Sequence, residues 1–201
     1  MGDVSENIAV SCLVINKDLL EAYDFKHINR DITYVISEKP EKCFYTIHEA
    51  LCKNGDIYDQ YDFEPQIGSY CNIAESVVIE KGVIIGNHVT IGPNTVVRSG
   101  SIIDDFTTIG CNTTIGSEGF QLITDLDNPP LHITHVGKCY IGSNVYIGDN
   151  TCVCNSLFEG ETYVGDGAKI DNLVHIAHNL HIGKNAVITA HVIFCGSAII
   201  E

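Results

Sequence analysis

Histidines are concentrated in one short stretch of this chain. Nine occur in 201 residues, and four of them lie close together: His175, His178, His181 and His191. Imidazole is the side chain best suited to moving a proton near neutral pH, and it is also a common metal ligand. Strand residues three apart are separated by about 10 Å, and intervening turns would point them in different directions, so these four cannot converge on one metal ion. We therefore expect acid–base chemistry rather than metal binding in this stretch.

His178 is the candidate general base because of the residues that stand before and after it in the sequence. Asp171 and Asn172 precede it and could reach across a turn to fix its tautomer. Gly196 follows it by 18 positions. In a chain that coils with an 18-residue period, the Gly196 amide would stack beside the imidazole and could donate to an oxyanion, while the missing side chain leaves room for a carbonyl. His178, Asp171 and Gly196 are the expected catalytic residues.

An apolar residue recurs every sixth position and predicts such a coil. The period runs from Ile67 to Ile115, resumes from Ile141 to Val153 and runs again from Val164 to Ile200. We call these apolar residues anchors. Small or β-branched residues stand two positions before the anchors, so both positions share one inward face of a strand. The glycines that often follow the anchors suit tight corners. Three short strands and three corners make an 18-residue triangular coil, and successive coils stack about 4.8 Å apart.

The period covers only part of the chain, so we expect two domains. Residues 64–201 are predicted to form the coil, with a loop excursion at 117–140 of the kind that often carries function. Residues 1–63 lack the period and are predicted to form a small α/β domain, with strand-like runs at Ile8–Ile15 and Ile32–Ser37 and a short helix around Tyr45–Lys53.

Charge and hydropathy exclude several classes of partner. Eleven lysines and arginines against 26 acidic residues leave a net charge of −15. Such a surface lacks the cations that neutralise the phosphates of a nucleic acid, so we expect no nucleic-acid partner. No apolar run reaches membrane-spanning length and the N-terminus has no signal pattern, so we expect no membrane association and a cytoplasmic location.

The nine cysteines are scattered and odd in number, which is typical of reduced thiols in a cytosolic protein. Several fall near core positions of the coil, where a thiol acts as a small apolar side chain. Cys152 and Cys154 form a single C-x-C pair without a matching second pair. We therefore expect no bound metal.

Two segments resemble a known enzyme family. The segment from Ile170 to Gly183, which contains His178, resembles the active-site segment of left-handed β-helix N-acyltransferases, especially the UDP-3-O-acylglucosamine N-acyltransferases of lipid A synthesis. The segment from Ile115 to Phe120 is similar to that family's motif before its large loop. The resemblance covers most of residues 67–201 and extends to the short acetyl-CoA-dependent acetyltransferases of UDP-linked 4-amino sugars, whose catalytic histidine also falls on His178.

This resemblance implies a fold, an assembly and residue roles. The fold class is mainly β: a left-handed parallel β-helix of hexapeptide repeats with a small N-terminal α/β domain. The assembly is a homotrimer with active sites between subunits. The roles are His178 as general base, Asp171 as its orienting partner, the Gly196 amide as oxyanion donor, and Asn172 near the sugar.

Further residues are candidates for holding substrate and donor. Glu118 and Phe120, in the motif before the loop, are expected to bind substrate. Tyr34 lies in a segment similar to part of the family's uridine-binding domain and could stack on uracil, or it could be an ordinary packed strand aromatic. The candidate phosphate-binding cations of the donor site are the few lysines in this half of the chain: Lys138, Lys169 and Lys184.

The expected activity is N-acylation of a nucleotide-linked amino sugar, carrying UDP or dTDP, with a CoA thioester, acetyl-CoA, as donor. In the lipid A enzymes a helical extension that helps receive acyl carrier protein lies beyond the position where this chain ends. Three alternatives stay open. The donor could be an acyl carrier protein, the chain could be a non-catalytic trimeric solenoid that binds a nucleotide sugar, or it could be a zinc-dependent carbonic anhydrase, which shares the repeat.

Overall fold

The computed structural model describes residues 11–22, 32–54, 57–125 and 128–201. It divides the chain into two compact units, residues 1–54 and residues 55–201. Residues 57–65 belong to the second unit, where the Gly82 amide donates to the Phe63 carbonyl at 2.7 Å. No helix among the described residues is long and apolar enough to cross a bilayer.

The first unit pairs two short parallel strands with two helices. Its elements are β1 (Cys12–Ile15), α1 (Lys17–Ala22), β2 (Thr33–Ile36) and α2 (Pro40–Asn54). The helix predicted around Tyr45–Lys53 is present but begins at Pro40, because proline suits the first turn of a helix, where its missing N–H needs no partner. The predicted strand residues 8–10 lie outside the described residues.

The second unit is a three-sided coil, and each side is a parallel sheet. The first face contains β3 (Gln66–Ile67), β6 (Ile84–Ile85), β9 (Ser101–Ile103), β14 (Lys138–Ile141), β17 (Glu161–Val164), β20 (His181–Ile182) and β23 (Ile199–Ile200). The second face contains β4 (Asn72–Ile73), β7 (Thr90–Ile91), β10 (Thr108–Ile109), β15 (Tyr146–Ile147), β18 (Lys169–Ile170) and β21 (Val187–Ile188). The third face contains β5 (Val78–Ile79), β8 (Val96–Val97), β11 (Thr114–Ser117), β16 (Cys152–Cys154), β19 (His175–Ile176) and β22 (Ile193–Phe194).

The register of these sheets confirms the 18-residue coil. Ile67 pairs with Ile85 and Ile182 pairs with Ile200, 18 positions apart in each case. The apolar anchors point inward and form one continuous core, and most of them are almost fully buried. Since each anchor lies above its counterpart in the neighbouring coil, the period of the sequence is converted directly into a stacked apolar column.

The glycines after the anchors are required by close stacking of the coils. A Cβ on Gly92 would lie 2.8 Å from the carbonyl carbon of Gly110, one coil further on. The left-handed backbone at the corners is instead often taken by asparagine, as at Asn94 and Asn112, with φ of 59° and 52°. Asparagine tolerates this conformation better than most residues, so the corners need few further glycines.

Two insertions interrupt the coil. The first contains an antiparallel hairpin of β12 (Leu122–Asp125) and β13 (Asn128–His132). The second is a short bulge at residues 155–160, between β16 and β17. Both insertions leave from the third face and return to the first, so they gather at one corner of the prism.

Candidate active site

His178 lies at the corner between the third and first faces, directly after β19. Its carbonyl accepts a 2.9 Å hydrogen bond from the Ser197 amide, which holds the next coil against it. A Cβ on Gly196 would lie 2.6 Å from both Cε1 and Nε2 of His178. The imidazole therefore occupies the space beside Gly196 that any larger residue would fill, and the two residues lie together as their spacing predicts.

Asn179 fixes the orientation of the His178 ring. Its Oδ1 lies 2.9 Å from His178 Nδ1 and also accepts the Leu157 amide at 3.0 Å. The Leu157 N–H can only donate, so it identifies its partner in the Asn179 amide as the oxygen, and Nδ2 donates to the Ser156 hydroxyl. An oxygen can only accept, so Nδ1 of His178 carries the proton in the neutral ring and Nε2 carries a lone pair. Nε2 can therefore take a proton from a substrate.

Asp171, the expected orienting partner, does not reach His178 within this chain. It follows β18 at the corner between the second and third faces, one corner earlier than His178. Its Oδ1 accepts the Asn172 amide at 2.8 Å, and Asn172 Oδ1 accepts the Asp149 amide at 2.6 Å. Seven residues span a whole strand and a corner, which separates the two side chains. Inside one protomer, Asn179 holds the position that sequence reasoning gave to Asp171.

The first insertion brings a second imidazole to His178. The ring of His135 lies edge-on to that of His178, with centroids 5.3 Å apart. His135 Nδ1 lies 2.9 Å from the Ile133 carbonyl and so donates to it. Its Nε2 is then a lone-pair acceptor, and it has no hydrogen-bond partner among the described residues. Burial lowers the pKa of His135, which favours the neutral ring.

Gly119 makes room for this pair of histidines. A Cβ on Gly119 would lie 2.5 Å from His135 Nε2 and 3.0 Å from His178 Cδ2. The Gly119 carbonyl lies 3.0 Å from Nε2 of His132, which therefore donates to it. The expected substrate residues flank this point: Glu118 Oε1 accepts the His135 amide at 3.3 Å, and the Phe120 side chain is 80% exposed. The structure thus places Glu118 and Phe120 in the segment that borders His178.

Each of the three candidate lysines has a partner of its own in the second unit. Lys138 in β14 forms an ion pair with Asp59 at 3.4 Å. Lys169 in β18 donates to the Asn144 carbonyl at 2.6 Å. Lys184, which follows β20, forms an ion pair with Asp166 at 2.8 Å. The Asp166 carboxylate also accepts the amide of Ser143, next to Asn144, so Lys169 and Lys184 contact the same corner of the coil.

Tyr34 is in the other unit of the chain. It lies in β2, where it pairs in register with Leu13 of β1. Its expected contact with uracil stays a prediction.

His135 and Asn179 are the residues that sequence reasoning missed. His135 lies in the insertion, outside the six-residue period, so no pattern placed it near His178. Asn179 directly follows His178 in the segment that carries the family resemblance, and asparagine at a corner position was the signal that could have identified it.

Comparison with known protein families locates the repeats. Residues 82–117 and 161–196 match the bacterial transferase hexapeptide (six repeats) family. Over 84 residues the chain is 45% identical to the UDP-3-O-acylglucosamine N-acyltransferase of Cytophaga hutchinsonii, which covers 41% of this chain and 24% of that protein. Over 85 residues it is 46% identical to UDP-3-O-acylglucosamine N-acyltransferase 1 of Francisella tularensis, which covers 42% and 22%. The matched part thus spans about a quarter of the length of these relatives.

Solved structures with the same architecture are more distant in sequence. The UDP-N-acetylglucosamine acyltransferase from Campylobacter jejuni superposes with a TM-score of 0.53 at 24% identity, covering 64% of this chain and 50% of that one. A perosamine N-acetyltransferase from Caulobacter crescentus, in complex with CoA and GDP-perosamine, gives a TM-score of 0.52 at 14% identity over 83% and 64%. At these identities the likeness shows the fold. The second unit is therefore a left-handed parallel β-helix built from hexapeptide repeats of the bacterial transferase type, and the chain resembles the N-acyltransferases that share this fold.

Proposed function

We propose that this chain transfers an acyl group, acetyl from acetyl-CoA, to the amine of a nucleotide-linked amino sugar. The observation that carries this proposal is the His178 ring, whose Nδ1–H is donated to Asn179 and whose Nε2 lies against Gly196, where no side chain intervenes. The sequence relatives are named as N-acyltransferases of a UDP-linked sugar, which supports an amine acceptor on a nucleotide sugar.

In the proposed reaction the sugar amine attacks the thioester carbonyl carbon. A C–N bond forms, the carbonyl electrons move to oxygen, and His178 Nε2 takes the proton that the amine loses. The Gly196 amide stabilises the oxyanion. The C–S bond then breaks, and the departing thiolate takes the proton back from the imidazolium. The products are the amide and free CoA, so atoms and charges balance without a metal or a redox step.

His135 extends this site. Its Nε2 is a buried acceptor without a partner among the described residues, packed against Gly119 and next to His178. A buried acceptor without a partner costs free energy in the free protein, and a donor group of the substrate can relieve that cost. We infer that the amine or a hydroxyl of the sugar binds there.

The remaining candidate residues are proposed to bind the substrate or the donor. Glu118 and Phe120 border the site, and Asn172 and Tyr34 are assigned to the sugar and the base by resemblance. The subunits are proposed to form a homotrimer. Asp171, Lys169 and Lys184 lie at other corners of their own chain, so in that assembly they would reach a site only from another surface of the prism. Lys138 begins β14 on the side of the His178 corner, where its carbonyl accepts the Ser156 amide.

The second candidate is the same transfer from an acyl carrier protein. The sequence relatives are named for acting on a UDP-3-O-acylglucosamine, the acceptor that the family resemblance pairs with a carrier-protein donor. By contrast, a protein of the same fold is seen with CoA and GDP-perosamine, which shows that this fold can hold a CoA donor.

One experiment tests the activity and separates the donors. Purified protein is incubated with a panel of UDP-, dTDP- and GDP-linked amino sugars and either acetyl-CoA or a hydroxyacyl carrier protein, and released thiol is followed. We expect thiol release with acetyl-CoA. Release only with the carrier protein would support the second candidate. Binding of a nucleotide sugar without any thiol release would instead indicate a non-catalytic solenoid.

The variant His178→Asn tests the mechanism. We expect its turnover to fall about 10²- to 10⁴-fold, the range that a general base contributes. His191→Asn is the matched control, because His191 is exposed at a corner with φ of 61°, where asparagine fits. Unchanged turnover of His178→Asn, or an equal loss in the control, would contradict the assigned base.

A further inference from the structure

A cluster of metal-ligating side chains lies on the outer surface of the third face. Cys152 in β16 pairs directly with His175 in the adjacent strand β19. Cys154 stands two residues further along β16, so its side chain points to the same side of the sheet as that of Cys152. Two thiols and an imidazole thus share one small region, although in sequence the C-x-C pair has no partner nearby.

The distances between these groups fit a single metal ion. The two sulfur atoms and a ring nitrogen of His175 all lie within 4.8 Å of one another. Around tetrahedral zinc, with bonds of about 2.3 Å to sulfur and about 2.0 Å to nitrogen, the ligand atoms lie roughly 3.5–3.8 Å apart. The three atoms are therefore at most about 1.3 Å further apart (4.8 less 3.5) than zinc ligation requires.

A fourth group completes the surroundings. The Ser117 hydroxyl, from β11 on the other side of β16, lies 2.9 Å from the Cys152 sulfur and 3.4 Å from the Cys154 sulfur. Three adjacent strands therefore contribute to the cluster. The Cys154 side chain is 2% exposed, while Cys152, Ser117 and His175 are partly exposed, so an ion could enter from solvent.

The chemistry of this ligand set selects the metal. Thiolate and imidazole ligands favour zinc and other softer transition ions over magnesium and calcium, which prefer oxygen. Two thiolates also neutralise the charge of a divalent ion, which suits a partly buried position. We propose that Cys152, Cys154 and His175 bind one zinc ion, with the Ser117 hydroxyl or a water molecule as the fourth ligand.

The position of this site indicates a structural role. Strand β11 lies before the first insertion, and β16 and β19 lie on either side of the second. A shared ion would hold together the strands that the two insertions separate in sequence. We therefore expect zinc to raise the midpoint of thermal unfolding, independently of any acyl transfer.

Cobalt provides a direct probe of the proposed site. The 201-residue protein is reduced, stripped of metal with a chelator and titrated with Co²⁺. Co²⁺ absorbs visibly in tetrahedral sites and shows a near-ultraviolet charge-transfer band when bound to thiolate. We expect one Co²⁺ per chain with both signals, displaced by Zn²⁺, and a higher thermal midpoint in the zinc-loaded form.

Variants decide whether the named residues hold the ion. Cys152→Ser should reduce the charge-transfer signal, because only the Cys154 thiolate remains, and should weaken binding by more than the roughly 10- to 100-fold that losing a hydrogen-bond partner of a metal ligand costs. His175→Asn is the second variant, and it keeps the test valid if the first does not fold. Cys111→Ser is the matched control, a partly exposed thiol at another corner, and should bind as the unchanged protein does. No binding by the reduced unchanged protein, or equal binding by Cys152→Ser, would overturn the proposal.

Discussion

His178 can act as a base because its two ring nitrogens are held in different chemical states. Nδ1 donates to an amide oxygen that already accepts a backbone N–H, which leaves Nε2 as the basic atom. Gly196 then decides whether a substrate can approach that atom, because the ring fills the space where a side chain would lie.

Replacing Gly196 by alanine should therefore impair catalysis with a smaller effect on folding. The added Cβ would lie 2.6 Å from Nε2 of His178 and must displace the ring. A shift of about 1 Å at a reacting group can cost roughly 100-fold in rate, and we expect a loss of that order in thiol-release assays. Gly183→Ala is the control, since its Cβ would approach no described atom closer than 3.1 Å. Equal turnover of the two variants would contradict this role for Gly196.

His135 should make stability depend on pH below neutrality. Burial is the main cause that lowers its pKa below the ordinary value of 6.5; His178 and His132 lower it further, while the bond to the Ile133 carbonyl and the charge of Glu118 raise it. The unfolded chain therefore binds a proton at higher pH than the folded chain does. The stability that this group contributes is fully present above about pH 6.5 and is lost as pH falls toward the lowered pKa.

The comparison of His135→Gln with the unchanged protein measures this contribution. We expect the thermal midpoint of the unchanged protein to drop between about pH 7 and about pH 5, and the drop to be smaller in the variant. Parallel pH curves for the two proteins would show that His135 is not the group responsible.

At the scale of elements, the corner after β19 is held by one side chain. Asn179 adopts a φ of 58°, and its side-chain oxygen accepts the Leu157 amide. Its backbone N–H donates to Thr162 Oγ1 at 2.8 Å. The same side chain binds Ser156, so it also fastens the second insertion to the coil. The insertion and the catalytic corner are therefore coupled through Asn179.

Asn179→Gly should destabilise the fold by about 1–3 kcal/mol, the cost of leaving buried polar groups unpaired. Glycine keeps the left-handed backbone, so the loss reports the side-chain hydrogen bonds. Asn185→Gly is the matched control, because Asn185 has the same φ of 58° and an exposed side chain. Urea unfolding of both variants measures the difference, and equal stabilities would show that the Asn179 contacts contribute little.

The first insertion is the other element that shapes the site. It carries Glu118, Gly119 and His135 to the corner that His178 occupies, and the coil alone would leave this corner open. A regular solenoid thus supplies the base, and an irregular segment supplies the groups around it.

At the scale of the molecule, a single protomer exposes a ladder of aromatic rings along one corner. The rings of Tyr70, His88 and Phe106, one per coil, stack at 5.1 and 4.8 Å between centroids. The Tyr70 and Phe106 side chains are 84% and 59% exposed. Exposed apolar patches of this kind are typical of contact surfaces between subunits.

We expect a homotrimer in solution, with a mass about three times the 21.9 kDa of the chain. Light scattering coupled to size-exclusion chromatography measures it. Phe106→Asp should lower the mass if the aromatic ladder is buried between subunits, and aspartate is tolerated at the left-handed φ of 60° found there. A monomeric mass for the unchanged protein at all concentrations would contradict the assembly.

The sequence by itself determined the coil, its inward face and the stacking of His178 on Gly196. Each of these follows from the six-residue period. Three periods make one coil, and because each coil packs on the next, residues 18 positions apart become neighbours. No insertion lies between His178 and Gly196, so counting 18 positions was enough to place them.

Only the tertiary structure decided the contacts that cross an insertion. Cys152 and His175 are partners 23 positions apart because the second insertion adds residues between their strands, and Ser117 meets Cys154 across the first insertion. His135 reaches His178 from a segment with no period at all. Since the path of an inserted segment depends on how it packs against the finished coil, no local spacing encodes these neighbours.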